Sequence, residues 1–163
     1  MRRAAWTGAM LLTAGLALPR GAAEAAASSW DRMKALVGTW QGTFEGKPAK
    51  VSYALVSDGT ALMETLESHD SSQMVTVYHP DGSTLLMTHY CSIGNQSRMR
   101  AAKAAGDRVE FAFVDATNLS SPDQHRMTRL VLTLRDPDHL VQEWTSRSGV
   151  EEHTGRFEFT RKR

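Results

Sequence analysis

Residues 51–68 read VSYALVSDGTALMETLES, two runs of alternating apolar and polar side chains on either side of an Asp-Gly pair. Asp-Gly is favoured in the two-residue turn of a β-hairpin, so this stretch predicts two antiparallel strands. In the register that the turn sets, Tyr53 pairs with Glu64 and both lie on the apolar face. The hairpin therefore predicts a carboxylate that faces the interior of a β-structure.

The same alternation continues from Gly38 to the end of the chain, interrupted by turn residues at short intervals. A meander of many short strands has two exposed edges unless it closes, and closure into a barrel removes both. We therefore predict an all-β fold, an antiparallel up-and-down barrel of about ten strands that occupies residues 28–163 as one domain. The predicted strands are 39–45, 49–56, 60–67, 73–78, 83–90, 97–103, 108–114, 125–135, 140–147 and 152–160.

Two further loops, at 80–82 and 136–139, predict hairpin registers and place His89 on an apolar inner face. The turn at Gly106 is less decisive, because one loop length turns Arg98 and Arg100 to solvent and another turns them inward. Solvent is the preferred orientation, since burying a guanidinium without a partner is costly. The pairs predicted by the two loops are Val77 with Leu85, Val75 with Met87, Gln73 with His89, Leu132 with Trp144, and Leu134 with Gln142.

The N-terminus has the features of a secretory signal peptide: Arg2 and Arg3, an apolar run over 4–18, and an alanine-rich end at 25–27. The apolar run is shorter than the roughly 20 residues that span a bilayer, so we expect no stable membrane span after cleavage. We expect residues 1–27 to be removed and the protein to be periplasmic or secreted from a bacterium.

A short helix is predicted directly after the signal, over residues 28–37. Ser28 and Asp31 resemble a helix cap, and Trp30, Met33 and Val37 recur at helical spacing. The mature chain is therefore expected to begin with a helix that leads into the first strand.

Composition excludes several classes of function. The formal net charge is +1, which gives no reason to expect nucleic acid as a partner. Cys91 is the only cysteine, so an internal disulfide is impossible. The six histidines are scattered without the spacing of metal ligands, so no metal site is predicted. No catalytic residue is inferred either, although an enzyme that uses an internal cavity stays an alternative.

Polar residues near the predicted inner face are the candidates for ligand binding. Glu64 must find a partner or stay protonated, so it is either a structural partner of Tyr53 or the anchor of a ligand. The segment 89–98 breaks the strand pattern at Gly94 and is the candidate mouth of a site. There, Asn95 and Gln96 either bind a ligand or satisfy the backbone of a turn. The candidate residues are Tyr53, Glu64, His89, Tyr90, Asn95, Gln96, Arg98, Arg100 and Trp144.

Residues 36–42, LVGTWQG, form a Gly-x-Trp strand entry that resembles the start of lipocalin-type and other calycin barrels. In lipocalins an arginine late in the barrel packs over this tryptophan, and Arg161 is the matching position for Trp40. This resemblance implies structural roles for Gly38, Trp40 and Arg161. Residues 88–100, THYCSIGNQSRMR, are similar to a segment of secreted bacterial lipocalin-like proteins of unknown function. The paired cysteines and the Thr-Asp-Tyr motif of lipocalins are absent, so no lipocalin ligand is implied.

The chain is also similar to nitrobindin-like barrels, which share the Gly-Thr-Trp start and hold a haem through one histidine near the C-terminus. His153 is the candidate for that role, but its neighbours Glu151, Glu152 and Thr154 are polar rather than apolar. The sequence itself names no cofactor.

Three functions follow as alternatives. The first is an exported barrel that binds a small apolar or amphipathic molecule without catalysis. The second is a structural or partner-binding barrel with a filled interior, since small barrels are often filled by side chains. The third is a haem-binding, nitrobindin-like barrel or an enzyme that uses the cavity. A cavity of about 300 Å³ or more would distinguish ligand binding from a filled interior.

Overall fold

The computed structural model describes residues 29–69 and 71–163, and the predicted signal segment at 1–27 lies outside them. Within this part, a short helix, α1, spans residues 29–34, and ten strands follow, which confirms the predicted fold class. The strands are β1 (Gly38–Phe44), β2 (Lys47–Val56), β3 (Ala61–Ser68), β4 (Ser71–Asp81), β5 (Thr84–Tyr90), β6 (Gln96–Ala105), β7 (Arg108–Thr117), β8 (Arg126–Asp136), β9 (His139–Ser148) and β10 (Glu151–Arg161).

Each strand pairs with its neighbours in sequence, and β1 also pairs with β10, so the sheet closes into an up-and-down antiparallel barrel. Closure satisfies the edge strands that an open meander would expose. We call the end where α1 meets β1 the helix end, and the opposite end, where β1 turns into β2, the open end. No helix in the described ranges has the length and apolarity needed to cross a membrane.

The helix end is closed by a tryptophan and an arginine. Trp40 is completely buried, and its indole N–H donates to the carbonyl oxygen of Leu36 at 2.8 Å. The guanidinium carbon of Arg161 lies 4.0 Å from the centroid of the Trp40 ring. The same guanidinium donates to the carbonyl oxygens of Ala35 and Val37, each at 2.8 Å. The cation therefore packs on the indole face and also binds the chain that follows α1.

The seam between β1 and β10 depends on a close approach of two backbones. Gly42 pairs with Phe159 across this seam. A Cβ atom at position 42 would lie 1.8 Å from the carbonyl oxygen of Glu158, which is well inside van der Waals contact. Only glycine fits there without moving the strands apart. Gly38, at the start of β1, has a φ of 131°, which also favours glycine.

Large apolar side chains fill the interior between α1 and the middle of the barrel. They alternate along each strand with outward residues, as a two-residue period requires. This part of the barrel is therefore a packed core. The almost completely buried side chains are Met33, Leu36, Val51, Leu62, Leu85, Met87, Met99, Phe111, Leu132 and Leu140.

The register of the first hairpin is confirmed, and that of the β4–β5 hairpin is wrong. Tyr53 pairs with Glu64, as predicted. In β4–β5, Asp81 pairs with Thr84, so the turn consists of Gly82 and Ser83 rather than of residues 80–82. The strand continues through Pro80, and the shift exchanges the two faces of β4. The side chains that face inward are Met74, Thr76 and Tyr78 instead of Val75 and Val77.

The predicted register of β8–β9 is wrong by two residues, but its faces are correct. Trp144 pairs with Leu130 and Gln142 pairs with Leu132. Because a shift by two keeps every side chain on its own face, Gln142 and Trp144 still point inward.

In the β6–β7 hairpin Met99 pairs with Phe113, and Arg98 and Arg100 lie outside the barrel, the orientation preferred from the sequence. A bulge next to Arg98 places it opposite Asp115, to which its Nε donates at 2.6 Å. Arg100 Nη1 lies 2.6 Å from the Asp81 carboxylate. Both guanidinium groups are thus paired with outer carboxylates.

We predict that Trp40→Ala lowers the free energy of unfolding by about 3–5 kcal/mol, because it removes a buried indole and the surface on which Arg161 packs. Chemical denaturation with a fluorescence or circular dichroism readout measures this loss. Arg161→Ala should also destabilise clearly, whereas Arg135→Ala on the exposed surface should change stability by about 0.5 kcal/mol or less. Equal effects of the two arginine variants would contradict the role of Arg161.

Candidate functional site

A layer of buried polar side chains crosses the barrel between the packed core and the open end. It contains Tyr53 and Glu64, which the first hairpin predicted to face inward, and four side chains from strands β4 and β9. All of them are at most 4% exposed, which is unusual for polar groups unless they bind one another. The layer consists of Tyr53, Glu64, Thr76, Tyr78, Gln142 and Trp144.

Glu64 is the centre of this layer. Its carboxylate accepts a hydrogen bond from the Tyr78 hydroxyl at 2.9 Å and one from Gln142 Nε2 at 3.1 Å. The Thr76 hydroxyl approaches the other oxygen at 3.4 Å, and Tyr53 lies opposite Glu64 in the β2–β3 register. Burial raises the pKa of Glu64, and the neighbouring hydroxyl and amide groups oppose that rise because they favour the charged form.

Gln142 links the layer to the wall of the barrel. The indole N–H of Trp144 donates to Gln142 Oε1 at 2.9 Å. The amide nitrogen of Gln142 donates to Glu64 and also to the Tyr53 hydroxyl, at 2.5 Å. An indole nitrogen can only donate, so it determines which end of the Gln142 amide turns to Glu64.

His89 lies at the edge of the polar layer and is 1% exposed. Its Nδ1 is 2.9 Å from the Thr76 hydroxyl, and its ring packs against Trp144 with the centroids 4.5 Å apart. Its other nitrogen, Nε2, is buried and has no hydrogen-bond partner within residues 29–69 and 71–163. Burial lowers the pKa of His89 to about 4, so the imidazole is neutral at neutral pH.

A cavity of about 270 Å³ lies above the polar layer, at the open end. This volume lies just below the limit of about 300 Å³ that is typical of small-molecule sites, so the cavity can hold only a small ligand. His89 and Trp144 form part of its wall, together with Cys91, whereas Glu64 and Tyr53 do not line it. Its apolar walls come from six strands, through Phe44, Leu66, Met74, Met127, Trp144 and Phe157.

Two loops frame the mouth of the cavity. The β5–β6 turn contributes Ile93 to the lining, and the β7–β8 loop contributes His125. Asn95 joins the loops, because its side-chain amide donates to the carbonyl oxygen of His125 at 2.7 Å. Gln96 donates to the carbonyl oxygen of Gly94 at 3.1 Å, within the turn. Residues 89–98, predicted to form the mouth of a site, therefore lie at the mouth of the cavity. The side-chain amides of Asn95 and Gln96 donate to backbone carbonyl oxygens rather than to a ligand.

The structure brings together four of the nine predicted ligand-binding residues: Tyr53, Glu64, His89 and Trp144. Of these, His89 and Trp144 line the cavity. Tyr90, Arg98 and Arg100 are exposed on the outer surface, and Asn95 and Gln96 organise the loops.

Three residues of the polar layer were not predicted from the sequence. Thr76 and Tyr78 were placed on the outer face of β4 by the wrong register of the β4–β5 hairpin. Gln142 was placed inward by its predicted pairing with Leu134, but it was not singled out. Gln142 carries the signal that identified Glu64, which is a polar side chain on an otherwise apolar inner face.

His153, the candidate haem ligand, lies at the mouth of the cavity. Its side chain is 73% exposed, and its Nε2 is 3.8 Å from a carboxylate oxygen of Glu45. An exposed histidine beside a carboxylate lacks the apolar surroundings that the nitrobindin-like resemblance implies. In the described part of the chain, no three His, Cys, Asp or Glu side chains are grouped so that they could hold a metal ion.

Among solved structures, the fold is similar to that in the crystal structure of Rv2717c from M. tuberculosis, with a TM-score of 0.57 and 18% sequence identity. The match covers 85% of this chain and 99% of that one. At this identity, the similarity shows that the two chains share a barrel fold. No protein-family model matches the chain, and neither does any curated protein.

We predict that Glu64→Gln lowers the free energy of unfolding by about 1–3 kcal/mol, because an amide keeps only one acceptor oxygen and turns a donor toward the groups that donate to Glu64. The matched control is Glu67→Gln, on the same strand but exposed. It should change stability by about 0.5 kcal/mol or less. Denaturant titration of both variants measures the difference, and equal small effects would show that the carboxylate is not required.

We predict that stability falls as the pH is lowered from about 6.5 to about 4, because in this window the unfolded chain protonates His89 and the native protein does not. The contribution of His89 over this range is about 3 kcal/mol. Glu64, with its raised pKa, acts in the opposite direction, since its native form takes up a proton more readily than the unfolded chain.

Two histidine variants isolate the contribution of His89 to this pH dependence. His89→Gln should flatten the loss of stability between these pH values, and His79→Gln, at a position on the outer face, should keep it. Denaturant titrations at several pH values measure both slopes. An unchanged slope in His89→Gln would contradict the assignment.

Proposed function

We propose that this protein binds a small apolar molecule with one polar group, in the cavity at the open end of the barrel. The observation that carries the proposal is a cavity with apolar walls beside a buried polar atom, His89 Nε2, that has no partner in the described chain. A buried nitrogen without a hydrogen bond costs stability, so its retention is explained when a ligand supplies the missing contact.

The shape of the site supports a small ligand rather than a long one. Below the cavity, the polar layer and the packed core fill the barrel, so a molecule can enter only as far as His89 and Trp144. Ligand sites in proteins are usually apolar with few, well-placed polar groups. The aromatic and methionine side chains of this wall suit an apolar body.

We further propose that the protein acts outside the bacterial cytoplasm, as a carrier or sensor of the lipocalin-like, calycin type. The signal-like N-terminus supports export, and the packing of Arg161 on Trp40 supports the calycin assignment. Catalysis is not part of the proposal, because none of the described residues beside the cavity forms a nucleophile with a base and an orienting group.

Native mass spectrometry of the protein purified from the periplasm tests the proposal. We expect an additional mass that disappears when the protein is denatured. A retained haem would favour the nitrobindin-like alternative, in which His153 at the mouth is the candidate ligand. A bare mass, together with failure to bind any added apolar compound, would favour a barrel whose function does not use its interior.

A pair of methionine variants tests where the ligand binds. Met74 lines the cavity, and Met63 lies on the outer face of β3. We predict that Met74→Trp lowers the affinity for 1-anilinonaphthalene-8-sulfonate at least about tenfold, because the larger ring fills the cavity. Met63→Trp should bind like the wild type. Dye fluorescence measures affinity, and thermal melting verifies that both variants fold. Equal affinities would place the dye elsewhere.

A further inference from the structure

The hydrogen bonds of the polar layer have a direction, and this direction begins at Trp144. Its indole nitrogen is a donor only, so Gln142 Oε1 must be the acceptor of that bond. The amide nitrogen of Gln142 then donates to both Glu64 and the Tyr53 hydroxyl. The Tyr53 oxygen accepts this bond, and Tyr53 lies opposite Glu64 in the β2–β3 hairpin.

Glu64 is surrounded by groups that can donate to it. Gln142 and Tyr78 approach Oε2, and the Thr76 hydroxyl lies 3.4 Å from Oε1. An ionised carboxylate has about four acceptor positions, enough for these three contacts. Gln142 Nε2 can only donate, and both hydroxyl groups can turn their protons to Glu64, so the arrangement accommodates a carboxylate.

Thr76 transmits this direction to His89. A hydroxyl group has one proton and a carboxylate can only accept, so both contacts of Thr76 are satisfied together when its proton points to Glu64 at 3.4 Å. Its oxygen is then the acceptor in the 2.9 Å contact with His89 Nδ1, which puts the proton of the neutral imidazole on Nδ1. In this tautomer Nε2 carries a lone pair and can only accept.

We propose that the cavity selects apolar molecules with a hydrogen-bond donor, a hydroxyl or amino group, that donates to His89 Nε2. This inference rests on the proposed function and specifies the chemical class of the ligand. Ethers, ketones and esters without a donor are disfavoured, because their oxygen lone pairs would face the lone pair of Nε2 in a buried site.

Two isomers of the same formula test the inference: 1-octanol, which has a donor, and 1-methoxyheptane, which does not. Isothermal titration calorimetry with each compound measures the ratio of their affinities. We expect 1-octanol to bind wild-type protein about tenfold more tightly, which corresponds to one hydrogen bond. Octylamine, as a second donor, distinguishes an ammonium group from a hydroxyl group as the preferred ligand chemistry.

Variants at Thr76 and His89 show whether the tautomer causes the preference. Thr76→Val removes the acceptor for Nδ1, so His89 can carry its proton on either nitrogen and the two isomers should bind equally. Thr76→Ser retains the hydroxyl and should retain the preference. His89→Phe should abolish it. Structural damage alone would lower the affinities for both isomers together and leave the ratio of the two affinities unchanged.

The outcomes separate this inference from the proposed function. If both isomers bind wild-type protein equally, the cavity binds apolar molecules but the donor preference is wrong. If neither isomer nor the fluorescent dye binds, the proposed function fails and the inference fails with it. Nitrogen-15 NMR of His89 gives a test without ligand: a proton on Nδ1 supports the inference, and a proton on Nε2 overturns it.

Discussion

The carboxylate of Glu64 lies in the interior of a closed barrel, and a charge in that position must be surrounded by hydrogen-bond donors. A tyrosine, a threonine and a glutamine meet this requirement. Because these donors come from strands β4 and β9, which lie on opposite sides of the barrel, the carboxylate can be satisfied only when the sheet has closed. The polar layer therefore requires a specific arrangement of strands, as buried networks do when every member is satisfied.

The polar layer also divides the interior into two parts. Toward the helix end, the barrel is a packed core closed by Trp40 and Arg161. Toward the open end, apolar walls surround a cavity, and His89 connects the two parts, because it contacts Thr76 and Trp144 of the layer and lines that cavity. The sequence left open whether the interior is filled or contains a cavity. In the structure the interior is filled toward the helix end and contains a cavity toward the open end.

The outer surface is organised by different interactions. Arg98 and Arg100, which an inward register would have made ligand contacts, bind Asp115 and Asp81 outside the barrel. Exposed ion pairs of this kind contribute little to stability, but they agree with the outward orientation of alternate residues on β6. The two amides of the β5–β6 turn bind backbone and hold the loops at the mouth. The polar side chains that belong to the candidate site therefore lie inside the barrel.

The sequence by itself determined the fold class, the number of strands and the pairing of Tyr53 with Glu64, because side-chain alternation and an Asp-Gly turn act over a few residues. It also placed Gln142 and Trp144 inward despite a register error, since an error of two residues preserves the face. The tertiary structure alone decided that Thr76 and Tyr78 face inward, because a two-residue turn at Gly82 replaced the expected loop and exchanged the faces of β4. It also decided the contacts between His89, Thr76 and Glu64, since hydrogen bonds between strands distant in sequence exist only after the barrel has closed.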